Sequence, residues 1–263
     1  LDRIRNTLEK IDAGKAAQPT RITLQGDELT LADAIGAVKK QTGNRLVDLR
    51  GQFGVRPDPL ALRLDLKNVS FWEGLDAILD RGDLSLYHFA DEVGLAIVPR
   101  DPAGRARLGS ASYSGPFRVE AASVGASIDL TRPSSRVLKV DLEIAWEPRL
   151  RLISLSQPMN RLSAKGPNGV ELESLSGDAE LNAAVGANRT AVSMTVPFVL
   201  PPRSVEKISL LKGQLNAVVA GRAEKFTFEN IEQANRVVQR KGGVSVTLDT
   251  VRRNGDIWEV HMR

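Results

Sequence analysis

The chain contains no cysteine. Disulfides, thiol nucleophiles and cysteine-ligated zinc are excluded with it, and a chain without thiols fits an oxidising compartment. Histidine is almost absent too. His88 and His261 fall in separate strand-like stretches, and no Asp or Glu stands at metal-ligand spacing from either. Aromatic residues make up only 5% of the chain, too few to alternate with its basic residues as stacking platforms. Those basic residues are dispersed (Arg149 and Arg151, Arg236, Arg240 and Lys241, Arg252 and Arg253), so no nucleic-acid surface is expected. No apolar run has the length of a membrane span, and no signal peptide is visible. A charge of one sign is also missing, with a net charge of +4 over 263 residues.

What is present is ordinary for a soluble globular protein: 42% hydrophobic and 26% charged residues, at a length that suits one large domain or two smaller ones. The chain opens with Leu1 and not Met, as a processed or trimmed product would. Leu1, Ile4, Leu8 and Ile11 share one face of a short helix, with Gly14 as its stop; it reads as a helix docked on its own domain, the alternative being the end of a coiled coil.

Beyond "AAQPT", the stretch "RITLQGDELTLADAIGAVKKQTGNRLVDL" reads as strand, helix, strand. Thr30 is its helix N-cap, Leu31, Ala34, Ile35 and Val38 its apolar stripe, and Gly43 its end. About forty residues later "LRLDLKNVSFWEGLDAIL" repeats the pattern. Leu62, Leu64 and Leu66 alternate on a strand, and Ser70 and Glu73 form a capping box. Phe71, Leu75, Ile78 and Leu79 make the buried stripe. "LSLYHFA" and "VGLAIVP" then close the unit as two strands around a turn at Asp91-Glu92. "GQFGVRPDPLA" between the middle strands is a surface loop by its Gly and Pro content.

By these features the segment from Arg21 to Pro99 resembles the short N-terminal (STN) domain shared by secretins and TonB-dependent receptors. The resemblance covers about a third of the chain and carries no catalytic signature. It implies a βαββαββ α+β domain that works through protein contacts, in a periplasmic ring in secretins and with regulatory partners in receptors. The inserted loop is longer than the family pattern needs.

From Pro99 to Pro116 the chain is rich in Gly, Pro, Ser and Arg and reads as a linker. The remainder reads as strands. "RVLKVDLEIAW" sets Leu138, Val140, Leu142, Ile144 and Trp146 on one face, and "AVSMTVPFVL" alternates likewise, with Pro197 marking an edge. "QLNAVV" and "KFTFENI" read as a hairpin around "AGRAE", and "FENIEQANRVVQRKGG" as a helix or long loop. Asn254-Gly255 joins two closing strands in a hairpin. The expected organisation is an N-terminal helix and linker (1–20), an STN-like α+β domain (21–99), a linker (100–116) and an all-β immunoglobulin-like sandwich (117–263). The last strand, "IWEVHM", is expected to need a partner at its sheet edge.

The search for chemistry yields no catalytic, cofactor or metal residues. Ser204-Val-Glu-Lys207 matches Ser-x-x-Lys, but it enters a strand-like stretch and lacks the companion motifs of penicillin-recognising enzymes. Asp65, Asp141, Glu143 and Asp249 occupy the polar faces of strands. "KGGVSV" lacks the context of a phosphate loop. Asn188-Arg-Thr190 is a glycosylation sequon. Among the tryptophans, Trp146 shares a buried face, whereas Trp72 lies off the main stripe of its helix. The candidate contact residues are therefore Trp72, Trp258 and Val260. The expectation is a non-enzymatic scaffold or assembly subunit of the periplasm or cell envelope, engaging a protein partner or itself. The alternative is a ligand- or glycan-binding envelope protein that uses the sandwich face.

Overall fold

The computed structural model describes residues 17–54, 61–88, 94–101, 111–186, 188–220 and 225–263. The expected helix over 1–13, the turn at Asp91-Glu92, most of the 100–116 linker and all but the first residue of "AGRAE" lie outside the described residues. Strand far outweighs helix.

Over Arg21–Pro99 the elements follow in the order β1 (Arg21–Thr30), α1 (Leu31–Thr42), β2 (Leu46–Asp48), β3 (Ala61–Ser70), α2 (Phe71–Arg81), β4 (Leu84–Tyr87) and β5 (Leu95–Pro99). Both helices start where the capping residues place them. Thr30 accepts the Asp33 N–H, and Ser70 and Glu73 cap reciprocally. Gly43 ends α1 in the left-handed region, at φ 69°, where a side chain would be strained. β1 and β3 pair antiparallel. β5 lies between β2, its parallel partner, and β4, its antiparallel one. A parallel pair needs a crossover, and the β3–α2 passage supplies one. Ile22, Leu31, Ile35, Val38, Leu62, Phe71, Leu75, Ile78 and Leu95 form one buried cluster. α2 lies so close to β1 that a Cβ at Gly74 would sit 3.0 Å from Ile22 Cδ1.

The next part is built on a four-stranded sheet ordered β13-β8-β7-β6, from β6 (Ser112–Ser114), β7 (Phe117–Ile128), β8 (Arg136–Trp146) and β13 (Ala191–Val199). Leu138, Val140, Ile144, Trp146, Met194, Val196 and Phe198 are buried on one face, as the alternation requires. Two small sheets cover that face. β9 (Leu152–Pro158) with β12 (Glu180–Ala184) and β15 (Asn216–Val219) shares a cluster with Ile144, Trp146 and Met194. β10 (Ser163–Lys165) with β11 (Glu171–Leu172) and β14 (Leu210–Lys212) shares a second cluster with Leu138, Val140 and Phe198. Pro197 sits in edge strand β13 on the side away from β8, where no N–H is needed, and its carbonyl accepts from Leu175.

Three expectations are corrected. The chain divides into compact units at Leu1–Ala220 and Gly221–Arg263, and not within 100–116. The buried cluster of the helical part runs on into Ala145 and Ala191 of the four-stranded sheet, so these two regions share a core. "QLNAVV" pairs with β9 and forms no hairpin with "KFTFENI". "FENIEQANRVVQRKGG" contains a strand, β16 (Val237–Lys241), joined by a tight turn to β17 (Val244–Asn254). Gly242 and Gly243 both have positive φ (58° and 85°), as a type I′ turn requires, and this favours a hairpin over a helix. β17 then pairs with β18 (Ile257–Met262) around Gly255-Asp256, the hairpin that Asn254-Gly255 announces. The order in the second unit is β16-β17-β18.

Candidate interaction surface

Helix α2 carries two stripes. Phe71, Leu75 and Ile78 face the cluster described above, while Trp72 and Asp76, four residues apart, face the segment from Tyr113 to Arg118. Trp72 is 1% exposed, and its indole Nε1 donates to the Pro116 carbonyl at 2.9 Å. This overturns its expected role as a contact residue: its position off the main stripe reflects a second buried face. Asp76 accepts from Tyr113 Oη at 2.6 Å and from Arg118 Nε at 3.0 Å. Arg118 Nη2 also reaches Glu120 at 2.5 Å.

A second polar junction centres on the fully buried Glu147. Its carboxylate accepts from the Thr20 N–H and hydroxyl, Asn44 Nδ2 and Arg149 Nε, at 2.6–3.1 Å. A charge removed from water persists only when its acceptors are met in this way.

His88 is buried with Nε2 3.2 Å from Glu143 Oε1. The hydrogen bond from His88 holds the Glu143 carboxyl below its ordinary range, against the opposing effect of burial. Both line a cavity of about 160 Å³ with Asp76, Arg100, Arg118 and Glu120. Each carboxylate here faces a cation or an imidazole, an arrangement that joins β-strands to a helix. Asp65 is held low by hydrogen bonds from Gln25 and Lys67, and Asp141 by those from Ser123 and Thr195. Asp249 lies 3.3 Å from Arg263. No two of these form an unpaired acid–base couple in a pocket. Ser204 and Lys207 lie in exposed, non-helical chain, so the Ser-x-x-Lys geometry is not formed. Among the described residues no His, Asp or Glu group could hold a metal ion, and no helix is long and apolar enough to cross a membrane.

The exposed features are strand edges. Beyond its short pairing with β6, β7 is an edge, and Ala121–Ile128 is exposed at every position without a single charge. β18 is the second such edge, exposed along its whole length. Trp258 is 46% and Val260 50% exposed, and both lie on β18, where the sequence placed the contact. The Arg253 guanidinium sits 5.7 Å from the centroid of the Trp258 ring. Within the second unit Leu248 alone is buried among the described residues.

Sequence reasoning missed Arg118, Glu147 and the His88–Glu143 contact. The signal for the first was the spacing of Trp72 and Asp76 on a helix that already had an apolar stripe. The other two pair residues far apart in sequence, and no local pattern marks them. Comparison with protein-family models, curated proteins and solved structures finds no match to this chain.

Proposed function

We propose that this protein is a non-enzymatic scaffold or assembly subunit of the cell envelope, built from an STN-like module and an immunoglobulin-like sandwich, that acts through strand edges. The observation that carries the reading is the exposure of β18, every residue of which faces solvent on an open sheet edge. An edge strand presents a row of backbone donors and acceptors that another strand can satisfy. Its exposed apolar side chains, Ile257, Trp258, Val260 and Met262, are those of a contact surface.

The βαββαββ order of Arg21–Pro99 supports the STN-like assignment, and with it an extracytoplasmic, contact-making role. The glycan-binding alternative has less support. Trp72 and Trp146 are buried, which leaves Trp258 without a companion tryptophan for a sugar platform. Light scattering of the full chain over a wide concentration range tests the reading. Growth in mass above 28.6 kDa supports it. A chain that stays monomeric, binds no envelope component and hydrolyses an ester or glycan overturns it.

A further inference from the structure

We propose that the partner of β18 is β18 of a second copy of this chain, paired antiparallel across a two-fold axis at Val260. The inference rests on the contact reading above and names its partner.

The backbone fixes which groups are available. Thr247 and Arg263 exchange two hydrogen bonds, of 2.7 and 3.0 Å. In an antiparallel pair such positions alternate. His261, Glu259 and Ile257 therefore turn their N–H and C=O towards β17, and Met262, Val260 and Trp258 turn theirs outward. Ile257, 70% exposed, lies on the other sheet face, while these three outward residues carry apolar side chains 46% to 52% open to solvent. They share a sheet face with Arg253, Val251 and Leu248, the cross-strand neighbours on β17 of Trp258, Val260 and Met262.

The side chains then select a register. With the axis at Val260, residues 257–263 all find opposites. Val260 meets Val260, and Trp258 meets Met262 of the second copy, a sulfur–aromatic contact. On the other face Glu259 meets His261 of the second copy, and Ile257 meets Arg263. The Trp258–Met262, Glu259–His261 and Ile257–Arg263 contacts each occur twice and Val260–Val260 once, on the axis, as a two-fold interface demands. Shifting the axis one residue breaks this. An axis at His261 gives up the Trp258–Met262 contact, and one at Glu259 sets carboxylate against carboxylate. Like charges directly opposite are unfavourable. The two three-stranded sheets become one of six strands, in which the β18 edge of each is closed and β16 forms the outer edges.

Sedimentation velocity of the full chain tests this with charge swaps. His261→Glu sets its carboxylate against Glu259 of the second copy, twice per dimer, and should raise the dimer dissociation constant about tenfold. The double variant E259K/H261E restores opposite charges and should recover association. Circular dichroism confirms that each variant is folded. Val260→Pro removes an outward N–H that β17 does not use, and should abolish the dimer.

A second measurement uses the absence of cysteine. Residues 259 and 261 of two copies form a non-hydrogen-bonded pair, about 4.5 Å between Cα atoms, within disulfide range. E259C/H261C should oxidise to a covalent dimer, and Glu259→Cys alone should not. Wild-type association that is indifferent to the swaps, with no cross-link in E259C/H261C, would overturn the β18 pairing and leave the contact reading standing. A wild-type chain monomeric at high concentration would overturn the pairing as well. The contact reading falls only if it also binds no envelope component and shows turnover.

Discussion

The two units of this chain solve the problem of a β-rich fold in opposite ways. In residues 17–220 most apolar strand faces are closed internally, the exposed end of β7 apart: α1 and α2 pack with β1 to β5, small sheets cover the four-stranded one, and a buried ion pair joins the helical part to the strands. In residues 225–263 the same alternation produces three well-paired strands with one buried side chain. Three strands gain independent stability from a hydrophobic face that is covered. The comparison teaches that backbone pairing alone does not complete a sheet. Where the cover is internal the sheet is complete, and where it is open the strands keep an exposed edge, on which the proposed contact rests.

Breaking the closed region should cost most. Trp72→Ala removes a buried ring and leaves the Pro116 carbonyl without its indole donor, with an expected loss of about 3–5 kcal/mol in urea unfolding followed by circular dichroism. An exposed contact residue would lose almost nothing, so the value decides between the two roles of Trp72. Leu75→Ala, at a fully buried position, should cost about 2–5 kcal/mol by the same measurement, and a loss below about 1 kcal/mol would mean its helix face is misassigned. Ser70→Ala removes one half of the capping box and should cost about 0.5–2 kcal/mol.

Acid sharpens the comparison. The folded-state pKa of Glu143 lies below its unfolded value, so its stabilisation is present above about pH 4.3 and is lost as pH falls through the folded value. Glu143→Gln should flatten the acid limb of the stability profile, measured between pH 2 and 6 (roughly the carboxylate range). An unchanged limb would show that His88 contributes nothing there. The smallest effect belongs to the open sheet. Val238→Thr on β16 should change stability by no more than about 0.5 kcal/mol, since its side chain is half exposed.

Much of this was legible from local pattern. Thr30, Ser70 and Glu73 set the helix starts, Leu75 and Ile78 the core stripe, the even-numbered residues of β8 the buried sheet face, and Asn254-Gly255 the last hairpin. Trp258 and Val260 were readable as contact candidates because the strand carrying them has no visible cover. Trp72 was misread because a helix can bury two faces, and the second partner, Pro116, lies 44 residues away. The division at residue 220 was invisible for a related reason. Period-two alternation marks a strand but does not say what covers it, and the polar pins Glu147 and Arg118 also need partners distant in sequence, Thr20 and Asn44 for one and Asp76 for the other.

The central claim is that β18 is an unfinished edge that another chain completes. Hydrogen–deuterium exchange at residue resolution, run at rising protein concentration, tests it most directly. The amides of Trp258, Val260 and Met262 should exchange freely at dilution and gain protection as concentration rises, while those of Ile257, Glu259 and His261, already bonded to β17, change little. Amides of all six residues that exchange alike at every concentration would contradict it.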